Sequence, residues 1–330
     1  MNRKVSVAPM MDCTDKHERY FLRLISKHVL LYTEMIVSEA IDRGDKQKLL
    51  SFNLEEKPVA LQIGGSSPKL LGDAARIGEE FGYDEINLNL GCPSKKVQKN
   101  RFGACLIKEP NLVADCLSEM QAKTKLPVTI KTRIGYDHVE DYEHLYNFIN
   151  LLKKTGIKTF IIHARKAMLG KFTPKQNLNI PPLKYEMVYK LKKDFKNLEI
   201  IINGGITSSD QIKDHLEKVD GVMIGRSIYH SPYMLAEIEK EIFKNEEVPS
   251  RQNVVEKLVK YLKEEVKKGT RVNQVMRHTL GLFHGQTGSN FWKRYLSENM
   301  CVRDADIQKV DHILDKVKHN QVSHSVGQID

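Results

Sequence analysis

Long apolar runs are absent from this sequence of 330 residues. No stretch approaches the roughly 18 apolar residues that a membrane-spanning helix needs, so the pattern does not predict a membrane protein. The first residues, MNRKVSVAPMMD, show neither an apolar signal core nor the Arg- and Ser-rich amphipathic pattern of an organelle transit peptide. We therefore expect the protein to act in the cytoplasm.

Cysteine is scarce, and its spacing matches no familiar framework. The number is odd, no C-x-x-C pair occurs, and no zinc or iron–sulfur spacing is present, so we expect no bound metal. A cysteine with a special role would act as a thiol. The five are Cys13, Cys92, Cys105, Cys116 and Cys301.

Acidic residues are fewer than basic ones. The chain has 52 Lys and Arg residues against 42 Asp and Glu residues, which gives a formal net charge of +10. This balance favours a polyanionic partner, although basic proteins without one are common. The hydrophobic fraction of 41% is ordinary for a globular protein.

Short apolar runs rich in β-branched residues recur eight times in about 240 residues, and segments of helical periodicity separate them. This alternation predicts an α/β fold, a (β/α)8 TIM barrel. An open, doubly wound sheet is the alternative, but it would usually need a Gly-rich turn after the first strand, where Pro9 stands. The runs are Val5–Ala8, Leu30–Ile36, Val59–Ile63, Glu85–Leu90, Val128–Thr132, Thr159–His163, Glu199–Asn203 and Gly221–Gly225. The predicted helices between them include Leu70–Phe81, Leu112–Lys123, Tyr142–Lys154 and Ser209–Lys218.

The alternation stops near Asn245–Arg251, in a polar stretch that contains a proline. We therefore predict a barrel domain over residues 1–244, a small all-helical domain over 251–320 and a flexible tail over 321–330. Helical periodicity in the second domain covers Asn253–Lys268, Arg271–Leu282, Asn290–Glu298 and Asp304–Lys318.

Polar residues stand at the carboxyl ends of the predicted strands, where barrels build their active sites. Residues i and i+2 of a strand point to one side, so each pair there shares a face. A single such residue could simply cap a loop. Burying Lys131 without an anionic partner would be costly, however, so the set as a whole predicts a site. Its members are Gln62, Asn87, Asn89, Lys131, Arg133, His163, Arg165 and Asn203.

Two glycine-bearing turns follow the last two strands, which is where barrels often bind phosphate through backbone N–H groups. They are Asn203-Gly204-Gly205 and Gly225-Arg226. A lone Gly-Gly pair is more often just a turn. The pairing of the two turns, together with the cation of Arg226, favours a phosphorylated cofactor.

Lys131 and His163 suggest which cofactor this is. A cation beside the polar edge of a flavin stabilises the negative charge of its reduced form, and an imidazole can donate to the same edge or to the phosphate. The alternative is a sugar phosphate in a lyase or isomerase, with Lys131 forming a Schiff base and Arg133 lowering its pKa.

Cys92 follows the fourth strand in the turn Gly91-Cys92-Pro93. Cysteines usually pack as small inert side chains, and we expect this of Cys13, Cys116 and Cys301. The position of Cys92 over the predicted active face instead favours a thiol that gives up a proton to carbon during a reduction. Cys105 on the following loop is the rival.

At these residues the sequence resembles the tRNA-dihydrouridine synthases, and among them the DusA type. The resemblance covers nearly the whole chain, and GCP after an N-x-N strand is its most specific part. In the barrel the matching strings are APMMD at 8–12, LYTEM at 31–35, NLNLGCP at 87–93, FGACL at 102–106, KTRIG at 131–135, HARK at 163–166 and NGGI at 203–206. In the second domain they are RHTLGLF at 277–283 and RYLSEN at 294–299.

The resemblance implies an FMN barrel, a helical domain that helps to grip tRNA, and NADPH as reductant. It implies reduction of D-loop uridines 20 and 20a, with hydride from reduced FMN to C6 of uracil and a proton from Cys92 to C5. It carries flavin binding onto Pro9, Met10, Met11, Gln62, Lys131, His163, Asn203, Gly204, Gly205, Gly225 and Arg226.

A segment of the second domain, Val266 to Ser297, contains no Asp or Glu while cations and aromatic residues alternate in it. Cations follow a phosphate backbone and aromatic rings stack on unpaired bases, so the segment favours RNA binding. The alternative is a solvated basic helix with core aromatics, which we expect for Phe283 and Trp292. We predict that Asn89 and Arg165 orient the flavin or the base, and that tRNA is held by Lys175, Arg277, Lys293 and Arg294.

Two other functions remain open from the sequence. A flavin barrel could act on a free pyrimidine, as dihydroorotate dehydrogenase-like enzymes do, but the acid-free segment would then have no purpose. A barrel without catalysis could serve only to bind tRNA. Whichever function applies, we expect a monomer.

Overall fold

A computed structural model describes residues 1–310. The predicted helix over Asp304–Lys318 is wrong at its start, because residues 304–308 are not helical, and its part beyond residue 310 lies outside the described residues, as does the whole predicted tail over 321–330. Two compact units make up the chain. The first contains Met1–Thr14 and Val29–Gly225, and the second contains Asp15–His28 together with the chain from Arg226 onward. The functional division at 244 and 251 remains a prediction.

The first unit is built around one sheet in which every strand pair is parallel. Its order is β1-β9-β8-β7-β6-β5-β4-β2, with β3 also paired to β4. In residues 1–310 the strands are β1 Val5–Val7, β2 Leu31–Tyr32, β3 Ile36–Val37, β4 Val59–Gly64, β5 Glu85–Leu90, β6 Val128–Arg133, β7 Thr159–His163, β8 Glu199–Asn203 and β9 Gly221–Ile224.

Hydrogen bonds between the first strand and the segment before β2 close the sheet on itself. The Val7 N–H donates to the Leu30 carbonyl at 2.9 Å, and the Leu30 N–H donates to the Val5 carbonyl at 3.2 Å. A parallel bridge between Ser6 and Leu30 lies between them. The predicted (β/α)8 barrel is therefore confirmed, and the open sheet is excluded.

Helices alternate with the strands in the first unit and make up most of the second. Residues 1–310 contain the α-helices α1 Lys16–Ile25, α2 Ser38–Arg43, α3 Lys46–Leu50, α4 Pro68–Glu80, α5 Lys95–Lys99, α6 Pro110–Lys123, α7 Tyr142–Leu152, α8 Pro174–Asn179, α9 Tyr185–Asp194, α10 Ser209–Leu216, α11 Arg226–His230, α12 Met234–Glu241, α13 Arg251–Lys267, α14 Val272–Met276 and α15 Ser289–Tyr295. None of them is both long and apolar enough to cross a membrane.

The predicted strand over Leu30–Ile36 is wrong as a continuous element, because β2 and β3 are separated by a bulge. Leu31 pairs with Val59 and Ile36 with Ile63, so the β2–β3 side carries one residue more than β4. The Thr33 hydroxyl accepts the Gln62 N–H at 3.0 Å, in place of a backbone carbonyl.

The barrel interior joins an apolar layer to a polar one. The apolar layer is a cluster of buried side chains, Ala8, Leu30, Tyr32, Ala60, Ile161, Ile201 and Met223. Polar side chains of β5 and its neighbours are also buried there, including Glu85, Asn87 and Thr129, each 0% exposed. Buried polar groups need hydrogen-bond partners, so the barrel interior must supply them.

The second unit contains a helix from the start of the chain that the sequence analysis did not predict. Asp15 caps α1, since its carboxylate accepts the N–H groups of His17 and Glu18 at 2.9 and 3.0 Å. The predicted helix over Arg271–Leu282 is wrong in extent. It consists of α14 and a short 3₁₀ turn over Arg277–Thr279.

Candidate active site

The strand register brings the predicted polar residues together at the carboxyl ends of the strands. Neighbouring strands pair these residues directly in three groups, each two residues further along the strands, so their side chains form a stepped row. The pairs are Gln62 with Asn87, Asn89 with Lys131, Arg133 with His163, and His163 with Asn203.

Lys131 supplies a half-buried cation to this row. Its Nζ donates to Asn203 Oδ1 at 3.0 Å, and Asn203 Nδ2 in turn donates to the Met223 carbonyl at 2.8 Å. Burial, helped by the nearby Arg133 charge, lowers the pKa of Lys131 to about 7. No carboxylate in residues 1–310 forms an ion pair with it. Negative charge on a bound ligand would therefore stabilise its protonated form.

Arg133 connects the loops that follow β5 and β7. Its Nε donates to the Gly91 carbonyl at 2.8 Å, and its Nη1 donates to the carbonyls of Lys166 and Asn177 at 3.1 and 3.3 Å. Burial lowers the pKa of this guanidinium to about 10. Arg165, predicted to orient the flavin or the base, also contacts a loop, because its Nη1 donates to the Pro181 carbonyl.

The turn that carries Cys92 is fixed from both sides. Asn89 Oδ1 accepts the N–H groups of Gly91 and Cys92 at 3.1 and 2.9 Å, and the Cys92 carbonyl accepts the Ala104 N–H at 3.0 Å. Gly103 adopts φ +74°, and a Cβ there would lie 2.7 Å from the Cys92 oxygen. Only glycine permits this approach of the two loops.

The thiol of Cys92 has the properties of an acid rather than of a nucleophile. Burial raises its pKa, while a backbone N–H from Ser94 and the charges of Arg133 and Lys131 partly oppose the rise. The thiol is therefore protonated at neutral pH. Burial raises the pKa of the rival Cys105 as well, and its Sγ–H donates to the Phe102 carbonyl at 3.1 Å.

The turn after β8 has the geometry of an anion site. Gly204 and Gly205 adopt φ +118° and +71°, and a Cβ on Gly204 would lie 2.6 Å from the His163 ring. Within residues 1–310 their N–H groups donate to no other atom, although the Gly204 carbonyl accepts the Tyr185 hydroxyl. Successive unpaired N–H groups in such a conformation form a concave site for anions.

The remaining predicted cofactor residues lie at the ends of β1 and β9. Pro9, Met10 and Met11 follow β1 directly, and a Cβ on Gly225 would meet Met10 Sδ at 3.4 Å. Arg226 is the first residue of α11, immediately after Gly225 in the chain.

A buried network that the sequence analysis missed lies below this row of residues. Glu85 accepts hydrogen bonds from Arg3, Tyr32 and Thr129, each at 2.6 Å. One signal was present in the sequence, because Glu85 shares its strand face with Asn87 and Asn89. The threonine gave no signal, since threonine is common in strands.

The acid-free segment has less free positive charge than its sequence indicated. Lys267 and Lys268 pair with Glu264 and Glu265 of α13 at 2.7 and 2.9 Å. Arg277 pairs with Asp15 at 2.7 Å.

Other cations of the predicted tRNA surface are exposed. Lys293 and Arg294 on α15 and Lys175 on α8 form no ion pair within residues 1–310. Trp292 and Phe283 are buried, as expected for core aromatics, with ring centroids 4.7 Å apart.

A closed parallel barrel with a polar site at the carboxyl ends of its strands defines the class of this protein. A model of the dihydrouridine synthase family, Dus, matches residues 6–318, and the chain belongs to that family.

Several relatives are similar over nearly their whole length. A tRNA-dihydrouridine(20/20a) synthase of Synechocystis sp. is 53% identical over 302 residues, which cover 91% of this chain and 90% of the relative. A protein of the same name from Vibrio cholerae is 48% identical, and the match covers 97% of this chain and 98% of the relative. One from Escherichia coli is 49% identical, and the match covers 94% of this chain and 90% of the relative.

A solved structure is similar in fold alone. A 2-naphthoyl-CoA reductase in complex with 2-naphthoyl-CoA matches with a TM-score of 0.53 and 13% identity. The match covers 72% of this chain and 50% of that chain.

The raised pKa of Cys92 generates a prediction about its reactivity. We expect iodoacetamide to alkylate Cys92 slowly at pH 7 and faster as the pH rises, with a midpoint above about 8.5, the ordinary thiol value. The reason is that a raised pKa keeps the unreactive protonated form to higher pH. Mass spectrometry of the Cys92 peptide measures the rate, with glutathione in the same sample as the reference. A midpoint near neutral pH would contradict an acid role.

Proposed function

We propose that this protein reduces the C5=C6 bond of uridines 20 and 20a in the D-loop of tRNA, using FMN and NADPH. Family membership and the names of relatives about half identical over nearly the whole chain support the reaction and the substrate. The structural observation that carries the proposal is the protonated Cys92 thiol, held on a fixed turn among the polar strand ends.

The residues present fit FMN. The unpaired N–H groups of Gly204 and Gly205 suit its phosphate, and Arg226 would add a positive charge there. Lys131, a cation with a pKa of about 7 and no acidic partner in the described chain, suits the polar edge of the flavin ring. His163, Asn203 and Gln62 would complete the contacts to the cofactor.

Cys92 would protonate C5 of uracil as negative charge develops there, and bound FMN would supply hydride to C6. The thiol is suited to this step because it is protonated at neutral pH and its turn is held by Asn89. Arg133 would act through the backbone by holding the Gly91 carbonyl, whereas Asn89 and Arg165 would orient the base. The uridine must leave its stack to reach this position.

The second unit and α8 would hold the tRNA backbone. Lys175, Lys293 and Arg294 are exposed and would contact phosphates. Arg277 would also contact a phosphate while it remains paired with Asp15. We place this activity in the cytoplasm, in a monomer.

The first prediction of this proposal concerns FMN. The purified protein should be yellow, and Lys131→Ala should weaken FMN binding about 10- to 100-fold, because a hydrogen bond from a charged group is lost. Binding to the native protein should also weaken as the pH rises through 7, since the ligand favours protonated Lys131 and its pKa is about 7.

Fluorescence quenching of FMN measures this binding. The FMN phosphate also titrates near neutral pH, but it does so equally with the native protein and with Lys131→Ala, so the difference between their pH profiles reports Lys131 alone. Lys154→Ala, at an exposed lysine of the same unit, is the control. A colourless protein that takes up no added FMN would refute the proposal and leave a tRNA-binding protein.

The second prediction concerns the proton donor. Cys92→Ala should keep FMN, tRNA binding and flavin reduction by NADPH, yet lose uridine reduction on the order of 10²–10⁴-fold, because the acid is missing. Cys92→Ser should lose most of it too, since a hydroxyl is a weaker acid. Cys105→Ala is the matched control and should resemble the native protein.

Single-turnover mixing of the prereduced protein with unmodified tRNA, without oxygen, isolates this step. Normal flavin reoxidation in Cys92→Ala and stalled reoxidation in Cys105→Ala would show that Cys105 is the acid. Reoxidation by free uridine as fast as by tRNA would instead favour an enzyme of free pyrimidines.

The third prediction concerns the tRNA surface. Lys293→Ala and Arg294→Ala should each reduce the salt dependence of tRNA binding by about one counterion, with flavin reduction unaffected. Arg277→Ala should in addition lower stability, because it removes one of the two side-chain partners of the Asp15 carboxylate, the other being His278. The control is Lys154→Ala with Lys158→Ala, two exposed lysines before β7. An equal loss of slope in the control would place recognition elsewhere.

A further inference from the structure

The buried carboxylate of Glu85 commits the hydroxyl of Thr129 to one direction. Arg3 Nε donates to Glu85 Oε2 at 2.6 Å, while the hydroxyls of Tyr32 and Thr129 donate to Oε1, also at 2.6 Å. A carboxylate paired with a guanidinium only accepts hydrogen bonds, and a threonine has a single hydroxyl proton. Thr129 therefore gives that proton to Glu85 and can only accept from its other neighbour.

Three amide side chains continue the series of hydrogen bonds from Thr129 across the barrel interior, each donating toward Thr129. Asn87 Nδ2 donates to Thr129 Oγ1, Gln62 Nε2 donates to Asn87 Oδ1, and Asn89 Nδ2 donates to Gln62 Oε1, each at 2.8 Å. Each amide that donates on one side must present its oxygen on the other. The orientation of Asn89 is thus set by Thr129, through two intervening side chains.

The other end of this chain of hydrogen bonds is the turn of the proposed acid. Asn89 Oδ1 accepts the N–H groups of Gly91 and Cys92 at 3.1 and 2.9 Å. Backbone N–H groups only donate, so the turn needs an oxygen from Asn89. The carboxylate at one end and the turn at the other therefore demand the same orientation of every amide between them.

We propose that Thr129 and Asn87 are positioning residues, which hold the Cys92 turn in place by fixing the amide orientation of Gln62 and Asn89. The inference rests on the proposed role of Cys92 as the acid. The hydrogen-bonded side chains are all buried, from Thr129 and Asn87 at 0% exposed to Asn89 at 8%. Water has little access to replace a lost partner, so a break at Thr129 leaves Asn87 Nδ2 without its acceptor and removes one of the two constraints that orient the amides.

Two hydroxyls donate to the same oxygen, Glu85 Oε1, and removing each in turn distinguishes a positioning effect from a general loss of stability. Thr129→Val keeps the side-chain shape but removes the hydroxyl that links Glu85 to Asn87. Tyr32→Phe removes an equally short and equally buried bond to Glu85 Oε1, but one that leads to no amide. Thr129→Ser restores the hydroxyl and is the rescue variant.

We expect Thr129→Val to lower kcat for uridine reduction roughly tenfold or more, with the KM for tRNA and the NADPH-driven flavin reduction unchanged. Hydrogen exchange at the Cys92 N–H should accelerate by a similar factor, and the alkylation rate of Cys92 should change while that of Cys105 does not. Tyr32→Phe and Thr129→Ser should match the native protein in all of these. Equal effects of Thr129→Val and Tyr32→Phe would overturn the proposal.

The proposal can fail separately from the proposed function. If the native protein reduced no uridine, the exchange and alkylation of Cys92 would still decide whether Thr129 positions its turn. If Thr129→Val did not fold, Thr129→Ala would replace it. A crystal structure at a resolution that distinguishes amide nitrogen from oxygen is a further test, and Gln62 or Asn87 in the opposite orientation would overturn the inference.

Discussion

The buried carboxylate of Glu85 is the constraint on which the rest of the barrel interior depends. An ion buried alone would cost several kcal/mol, and removing one partner of a buried pair typically costs about 3–5 kcal/mol. Here Arg3 supplies the opposite charge, and it also pairs with Glu199 at 3.0 Å. The residues before β1 are thereby tied to β5 and β8, and the same carboxylate sets the direction of the hydrogen bonds that begin at Thr129.

The site above this network combines a rigid part with an adaptable one. Each of the three amides is hydrogen-bonded within the protein through both its nitrogen and its oxygen, and Asn89 holds the Cys92 turn, so this part has one orientation. Lys131 and the N–H groups of Gly204 and Gly205 are not compensated by any acid in residues 1–310. Groups that protonate a substrate need fixed geometry, whereas groups that hold a charged cofactor need unsatisfied charge.

The fold was predictable wherever the signal is local. The bounds predicted for β5, β7 and β8 agree with the structure, because short runs rich in aliphatic residues mark strands that are buried on both faces. The bulge between β2 and β3 was not predictable, since it depends on a bond from Gln62 to Thr33. In the candidate site, the location of Cys92 and Lys131 at strand ends could be predicted, because it follows from the bounds of β5 and β6; their roles stay predictions. The role of Thr129 could not, because it arises only from the order of donors and acceptors across three strands.

In the second unit, basic residues of a segment without acids form ion pairs with acids from other parts of the sequence. The segment over 266–297 has no acid of its own, yet Arg277 meets Asp15, which lies 262 residues away in the chain. Burial opposes the ionisation of Asp15, but bonds from His278 and Arg277 hold its pKa well below the ordinary value. Burial and the charge of Asp15 raise the pKa of Glu18 on the same helix. Arg277 therefore neutralises the start of α1, and the cations of α15 are better placed to meet phosphate.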